Sequence, residues 1–132
     1  MNEGRKNDDG KLRYDLLPPD ALEGVVAVLT YGCKKYSDRN WENGIKYGRV
    51  FAALMRHMWA WWRGEENDVE TGLSHLDHAH CCILFLSAYT KRKHLQSFDD
   101  RPSGGSNIDA TMASGNAASF IQKEKDITNS WK

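Results

Sequence analysis

The chain reads as an all-α protein, a small helical bundle completed by oligomerisation. Two observations carry this. Three segments place apolar residues three and four positions apart, the spacing of one helix face. No convincing βαβ pattern or alternating apolar-polar run appears anywhere in the 132 residues, a length that suits one domain.

The first twenty residues are polar and end in "LRYDLLPPD". The prolines bar a helix through 18–19, and Asp20 can cap a helix beginning at Ala21. This arm is expected to be extended, with Leu12, Tyr14, Leu16 and Leu17 docked. The first helix spans roughly 21–36, with Leu22, Val25, Val26, Leu29 and Cys33 on its apolar stripe. Gly24 and Gly32 weaken it but permit close helix approach. A turn-rich loop follows, "SDRNWENGIKYG".

The second helix covers roughly 48–63, with Val50, Leu54, His57, Met58 and Trp61 in line and Gly64 as its stop. An acidic link leads to a third helix over roughly 70–92. Its second half is apolar on nearly every face, which predicts burial on several sides, in a bundle or between subunits. From Ser97 the composition turns to Gly, Ser, Ala and Asn. The expected division is a helical domain over 1–96 and a flexible or peripheral tail over 97–132.

Eighteen basic and eighteen acidic residues balance, so no general attraction to a nucleic acid polymer or a membrane is expected. No long apolar run or signal pattern is present, and three cysteines, two of them adjacent, make a poor disulfide framework. A soluble intracellular protein with reduced thiols is expected.

The unusual chemistry lies in "RHMWAWWRGEENDVETGLSHLDHAH", residues 56–80, which holds four of the five histidines. A link centred near 66 makes the second and third helices antiparallel neighbours and sets His57 level with His75, each nine residues away. His75 and His78 share a helix face. Glu65, Asp68 and Glu70 lie at the mouth of the hairpin, and Glu65 and Asp68 share a face if the second helix runs on. Carboxylates with imidazole can hold a divalent ion; oxygen ligands favour magnesium or manganese, and imidazole tilts the choice toward manganese, zinc or iron. Each of these residues alone is more ordinarily a solvated acid or a satisfied core histidine. Their coincidence makes Glu65, Asp68, Glu70, His57 and His75 the candidate metal group, with His78 undecided. Trp59, Trp61, Trp62, His80, Cys81 and Cys82 are expected to pack. A structural zinc site in "HLDHAHCC" is disfavoured, since His80 and Cys81 leave the shared face.

A second constellation lies in "KKYSDRNWENG": Lys35 and Arg39 can neutralise phosphates, and Tyr36 or Trp41 can contact a base. The plainer alternative is a loop pinned to the bundle by Trp41.

Three blocks carry a family likeness: "DGKLRYDLLPPDALEGVVAVLTYGCKKYSDRNWENG", "RHMWAWWRGEENDVETGLSHLDHA" and "ILFL". Together, over roughly 9–90, they resemble the MazZ-type phage dATP/dGTP diphosphohydrolases, related to the MazG/HisE-like all-α nucleoside triphosphate pyrophosphohydrolases. The resemblance implies hydrolysis of a deoxypurine triphosphate, dGTP or dATP, to the monophosphate and pyrophosphate, with a divalent metal required. In phages that put 2-aminoadenine in their DNA, such an enzyme supplies dGMP to the modified-purine pathway and depletes dATP; the setting implied is cytoplasmic, that of an infected bacterial host if the chain is phage-encoded. The wider class carries E-x-x-E on one helix and E-x-x-D on the next. Here E-x-x-E is missing from the second helix, so the class ligands are not carried over by position.

The resulting expectation has Glu65, His57 and Arg56 as catalytic residues, Arg56 joining Lys35 and Arg39 on the phosphates. The metal is Mg2+ or Mn2+ ahead of Zn2+ or Co2+, and the assembly a homodimer or homotetramer. The competing readings are a non-enzymatic helical interaction protein and an HD-type metal phosphohydrolase. The latter lacks its adjacent His-Asp pair, because "LDH" runs in the opposite order.

Overall fold

A computed structural model describes residues 2–102 together with Gln122, Lys125 and Asp126. Over residues 2–102 the architecture is all-α, with three helices and short 3-10 turns. Helix α1 is Pro19–Lys35, α2 is Tyr47–Trp62 and α3 is His75–Lys91.

Helix α1 starts two residues before the expected Ala21. Pro19 stands in the first turn, where its missing N–H would have had no partner anyway. Asp20 therefore lies inside the helix rather than capping it, and favours the positive end of the helix dipole. Gly24 permits a close crossing: a Cβ there would stand 2.1 Å from the Asp77 carboxylate of α3. The N-terminal arm departs from expectation. It forms a 3-10 turn over Tyr14–Leu16, and Leu12, Tyr14, Leu16 and Leu17 are all exposed rather than docked.

Helix α2 has no cap from its own Lys46. Its N-terminus is met from a distance: the Gly48 N–H donates to Asp100 Oδ1 at 2.7 Å, placing a carboxylate against the dipole. The helix ends at Trp62, and Gly64 (φ 100°) turns the chain away. Glu65 and Asp68 consequently do not share a helix face.

Helix α3 begins at His75, five residues later than the sequence pattern predicts. Residues 63–74 form a folded loop instead, closed by an isolated bridge between Asn67 and Ser74. Asp68 Oδ1 accepts the N–H groups of Glu70 and Thr71, both at 3.0 Å, and takes them from any helix. Gly72 (φ 71°) breaks the chain again. Ser74 then caps α3, its hydroxyl accepting from the Leu76 N–H at 3.1 Å.

The main core fills the end of the α2–α3 pair remote from this loop. Tyr47, Val50, Tyr89 and Leu95 are buried, and Trp41, Ile45, Phe85 and Phe98 pack around them. Tyr89 donates to the Trp41 carbonyl at 2.6 Å. Packing continues past position 96: Phe98 joins the core and Asp100 caps α2. Apart from Gln122, Lys125 and Asp126, the expected tail beyond 102 lies outside the described residues.

Two expectations about packing are corrected. Trp59 and Trp62 are exposed, Trp62 at 73 %, because their face of α2 turns away from α3. His80 is exposed for the same reason on α3, whereas Trp61, Cys81 and Cys82 do pack.

Candidate active site

The antiparallel register brings two imidazoles from different helices together. His57 Nδ1 and His75 Nδ1 are 2.9 Å apart, so one carries the proton and the other accepts it. His78, one turn further along α3, stacks on His57 with ring centroids 4.6 Å apart and planes 9° apart. Asp68 comes from the loop. Ligand atoms of His57, Asp68 and His75 all lie within 4.8 Å of one another.

The electrostatics suit a cation. Burial, with His78 and His75 nearby, lowers the His57 pKa, and burial is also the main cause lowering His78. Both rings are therefore neutral at pH 7, the form that offers a lone pair. Burial raises the Asp68 carboxyl, but the Thr71 N–H, His78, the Glu70 N–H and the Thr71 hydroxyl outweigh it, and the net shift is downward. His75 is 5 % exposed, and its Nε2 is buried without a hydrogen-bond partner. Two imidazoles and a carboxylate, His57, His75 and Asp68, are a donor set that fits a divalent ion.

The expected ligands divide. His57, Asp68 and His75 converge. Glu65 Oε1 stands 3.6 Å from His75 Nε2, outside hydrogen-bond reach, on an exposed stretch of the loop. Glu70 turns to α1, where its Oε1 accepts from Lys35 Nζ at 2.8 Å and from the Tyr31 hydroxyl at 3.1 Å. Cys81 is a core thiol: burial pushes its pKa up to about 12. Among the described residues, the structure gathers no zinc group from "HLDHAHCC".

A cavity of about 640 Å3 opens between α1, the 36–45 loop and α3. Its wall carries His57, Asp68, Glu70 and His78 together with Lys35, Tyr36, Arg39 and Trp41, and Lys35 and Glu70 touch across it. Members of both groups singled out in the sequence thus line one pocket of nucleotide size, while Glu65 and His75 are not part of its wall. Tyr36 is 65 % exposed and has a ring to offer. Trp41 is committed to packing: it stacks on Phe85 at 4.7 Å, and the Arg92 guanidinium lies 5.3 Å from its ring centroid. Arg39 holds a left-handed backbone (φ 55°), uncommon outside glycine, and this conformation sits at the pocket rim. Arg56 is not part of the wall. It precedes His57 by one position and so points about 100° away around α2, into solvent.

Three residues of the site escaped the sequence reading or stayed undecided there. The Thr71 hydroxyl joins His78 Nε2 (2.7 Å) to Asp68 Oδ1 (3.3 Å) and accepts from the Leu73 N–H. Tyr31 holds Glu70. His78 lines the pocket. Only the i, i+3 spacing of His75 and His78 signalled any of this.

A family described as "dATP/dGTP diphosphohydrolase, N-terminal" matches residues 1–101. The chain belongs to this family. A dATP/dGTP diphosphohydrolase of Salmonella phage PMBT28 is 37% identical over 83 residues, covering 63% of this chain and 28% of that protein. The chain therefore spans less than a third of that relative's length. No solved structure matches. The family match takes in every pocket residue named above, from Tyr31 to Phe85. Among the described residues no helix is long and apolar enough to cross a membrane.

Proposed function

We propose that the chain hydrolyses a deoxypurine triphosphate, dGTP or dATP, to the monophosphate and pyrophosphate. The observation that supports this most is the pocket, whose wall combines imidazoles and carboxylates (His57, His78, Asp68, Glu70) with cations (Lys35, Arg39) and an open aromatic ring (Tyr36). Family membership and the relative's name point the same way.

His57, Asp68 and His75 would hold a divalent ion, and the two imidazoles favour manganese over magnesium. When bound, such an ion supplies Lewis-acid charge for phosphate oxygens and a lowered pKa for water. The chain's own residues do the rest. Lys35 and Arg39 neutralise the phosphate chain, and the Tyr36 ring faces the base. Water adds to the α phosphorus while the bond from that phosphorus to the bridging oxygen breaks and pyrophosphate leaves. The neutral ring of His78 borders the same space and can take the proton from that water. Catalysis of this kind is mostly positioning and charge neutralisation.

The same reading includes a second copy of the chain. Phe51, Trp59 and Trp62 of α2 and Leu76 and Ile83 of α3 are exposed on outward helix faces. A two-fold partner presenting the same residues would cover them as an isologous helical interface.

Product analysis on a panel of four deoxynucleoside triphosphates tests the activity. Pyrophosphate and monophosphate from a purine substrate, with Mn2+ or Mg2+ and not with chelator, are expected. Stepwise release of orthophosphate, or no turnover with either metal, would count decisively against it. Light scattering reads the assembly, and a monomer at working concentration would remove the second copy.

A further inference from the structure

Glu70 is tied to two competing places at once. Its backbone N–H donates to the Asp68 carboxylate at 3.0 Å, which keeps the residue beside the His57–Asp68–His75 group. Its side chain leans the other way. Oε1 receives both Lys35 Nζ (2.8 Å) and the Tyr31 hydroxyl (3.1 Å) from the C-terminal turns of α1. Lys35, Tyr31, Glu70, Asp68 and His57 all line the same cavity. The Lys35–Glu70 pair is half exposed, 43 % and 57 % at the two side chains, so little free energy opposes its separation. A phosphate chain in the cavity offers the ammonium more negative charge and more acceptor oxygens than one carboxylate does.

We propose that Lys35 and Tyr31 hold Glu70 in reserve, and that a phosphate chain that draws Lys35 away releases the Glu70 carboxylate toward the His57–Asp68–His75 group. The inference rests on the cation reading of that group given above. It makes Lys35 a coupling residue between anion and cation, and Tyr31 a positioning residue that acts only through Glu70. Binding at the two places then strengthens reciprocally, as linkage requires.

The test uses the full chain without nucleotide or phosphate, titrated with Mn2+ alone by calorimetry and by the loss of the free-ion paramagnetic signal. Lys35→Met mimics withdrawal of the ammonium and should tighten Mn2+ by about fivefold or more, the lower range of coupling between sites. Glu70→Gln alone should leave the affinity unchanged, and in the double variant the tightening should vanish. Tyr31→Phe should move the affinity in the direction of Lys35→Met by a smaller factor. Tightening that persists in the Glu70→Gln background would be plain removal of a positive charge and would overturn the inference. So would weaker binding in Glu70→Gln alone, which would make Glu70 a standing ligand, or wild-type affinity in Lys35→Met. These three outcomes leave the cation site itself intact. A wild-type chain that binds no Mn2+ would overturn both the inference and the cation reading beneath it.

Discussion

Tyr89 and His75 lie on the face of α3 that meets α2, fourteen positions apart, and both are buried. Their surroundings differ in kind. Tyr89 stacks near Tyr47 with centroids 5.8 Å apart, and its hydroxyl is spent on the Trp41 carbonyl. His75 meets another imidazole, an aspartate and, just out of reach, a glutamate, and one of its nitrogens has no partner. One helix pair thus carries a dry aromatic end, where Tyr89 makes its hydrogen bond although the Tyr47 hydroxyl does not, and a polar end where imidazole and carboxylate donors converge. Satisfied polar groups stabilise, whereas unsatisfied ones cost stability and are kept where a ligand completes them. The first end should therefore govern folding and the second should govern function.

The largest effect is expected at the dry end. Tyr89→Ala removes the most buried side chain and should cost about 3–5 kcal/mol of stability, read as a collapse of the denaturant midpoint. At the polar end, His57→Gln should lower Mn2+-supported turnover about 100-fold or more, with a far smaller change in midpoint. Equal losses of stability in these two variants would erase the contrast between the ends.

Two glycines sharpen it. Gly44 and Gly72 both have positive φ, so alanine at either carries a backbone cost of about 1–2 kcal/mol. At Gly44 a Cβ would also stand 2.2 Å from the Phe98 ring, whereas at Gly72 nothing lies within 4 Å. Gly44→Ala should be the worse by about 1–3 kcal/mol of overpacking. Similar thermal midpoints for the two would show that Phe98 yields freely.

Acid should find the polar end first. The folded chain holds His57 and His78 below their ordinary value, chiefly through burial. An unfolded imidazole titrates near about 6.5. Below that pH the unfolded chain takes up protons that the folded chain refuses. Their contribution is fully present above about pH 6.5 and is lost as pH falls, by at most about 1.4 kcal/mol per pH unit for each ring. Thermal midpoints from pH 7.5 to 5 should decline and the decline should flatten in His57→Gln/His78→Gln; an unchanged slope would place the acid sensitivity elsewhere.

The smallest effect is the most diagnostic. Tyr47 is buried at the dry end, yet its hydroxyl has no partner. Tyr47→Phe should leave stability unchanged or raise it by less than about 1 kcal/mol. A clear loss would mean that the hydroxyl is satisfied after all.

By itself the sequence determined the three helices, the antiparallel register that pairs His57 with His75, and the family. Helical periodicity is local, and once two helices and their link are known the level of each residue follows. Tertiary structure alone decided the rest. The loop over 63–74 could be helix by pattern, but Asp68, Gly72 and Ser74 give its backbone better partners, so α3 starts at His75 and Glu65 and Asp68 part company. Azimuth around α2 sends Arg56 to solvent and His57 to the pocket, although they adjoin in the chain. The Tyr31–Lys35–Glu70 contact joins residues 35 or more positions apart. No periodicity encodes it, because it depends on where α1 settles across α3, and Gly24 against Asp77 shows how closely that crossing is made.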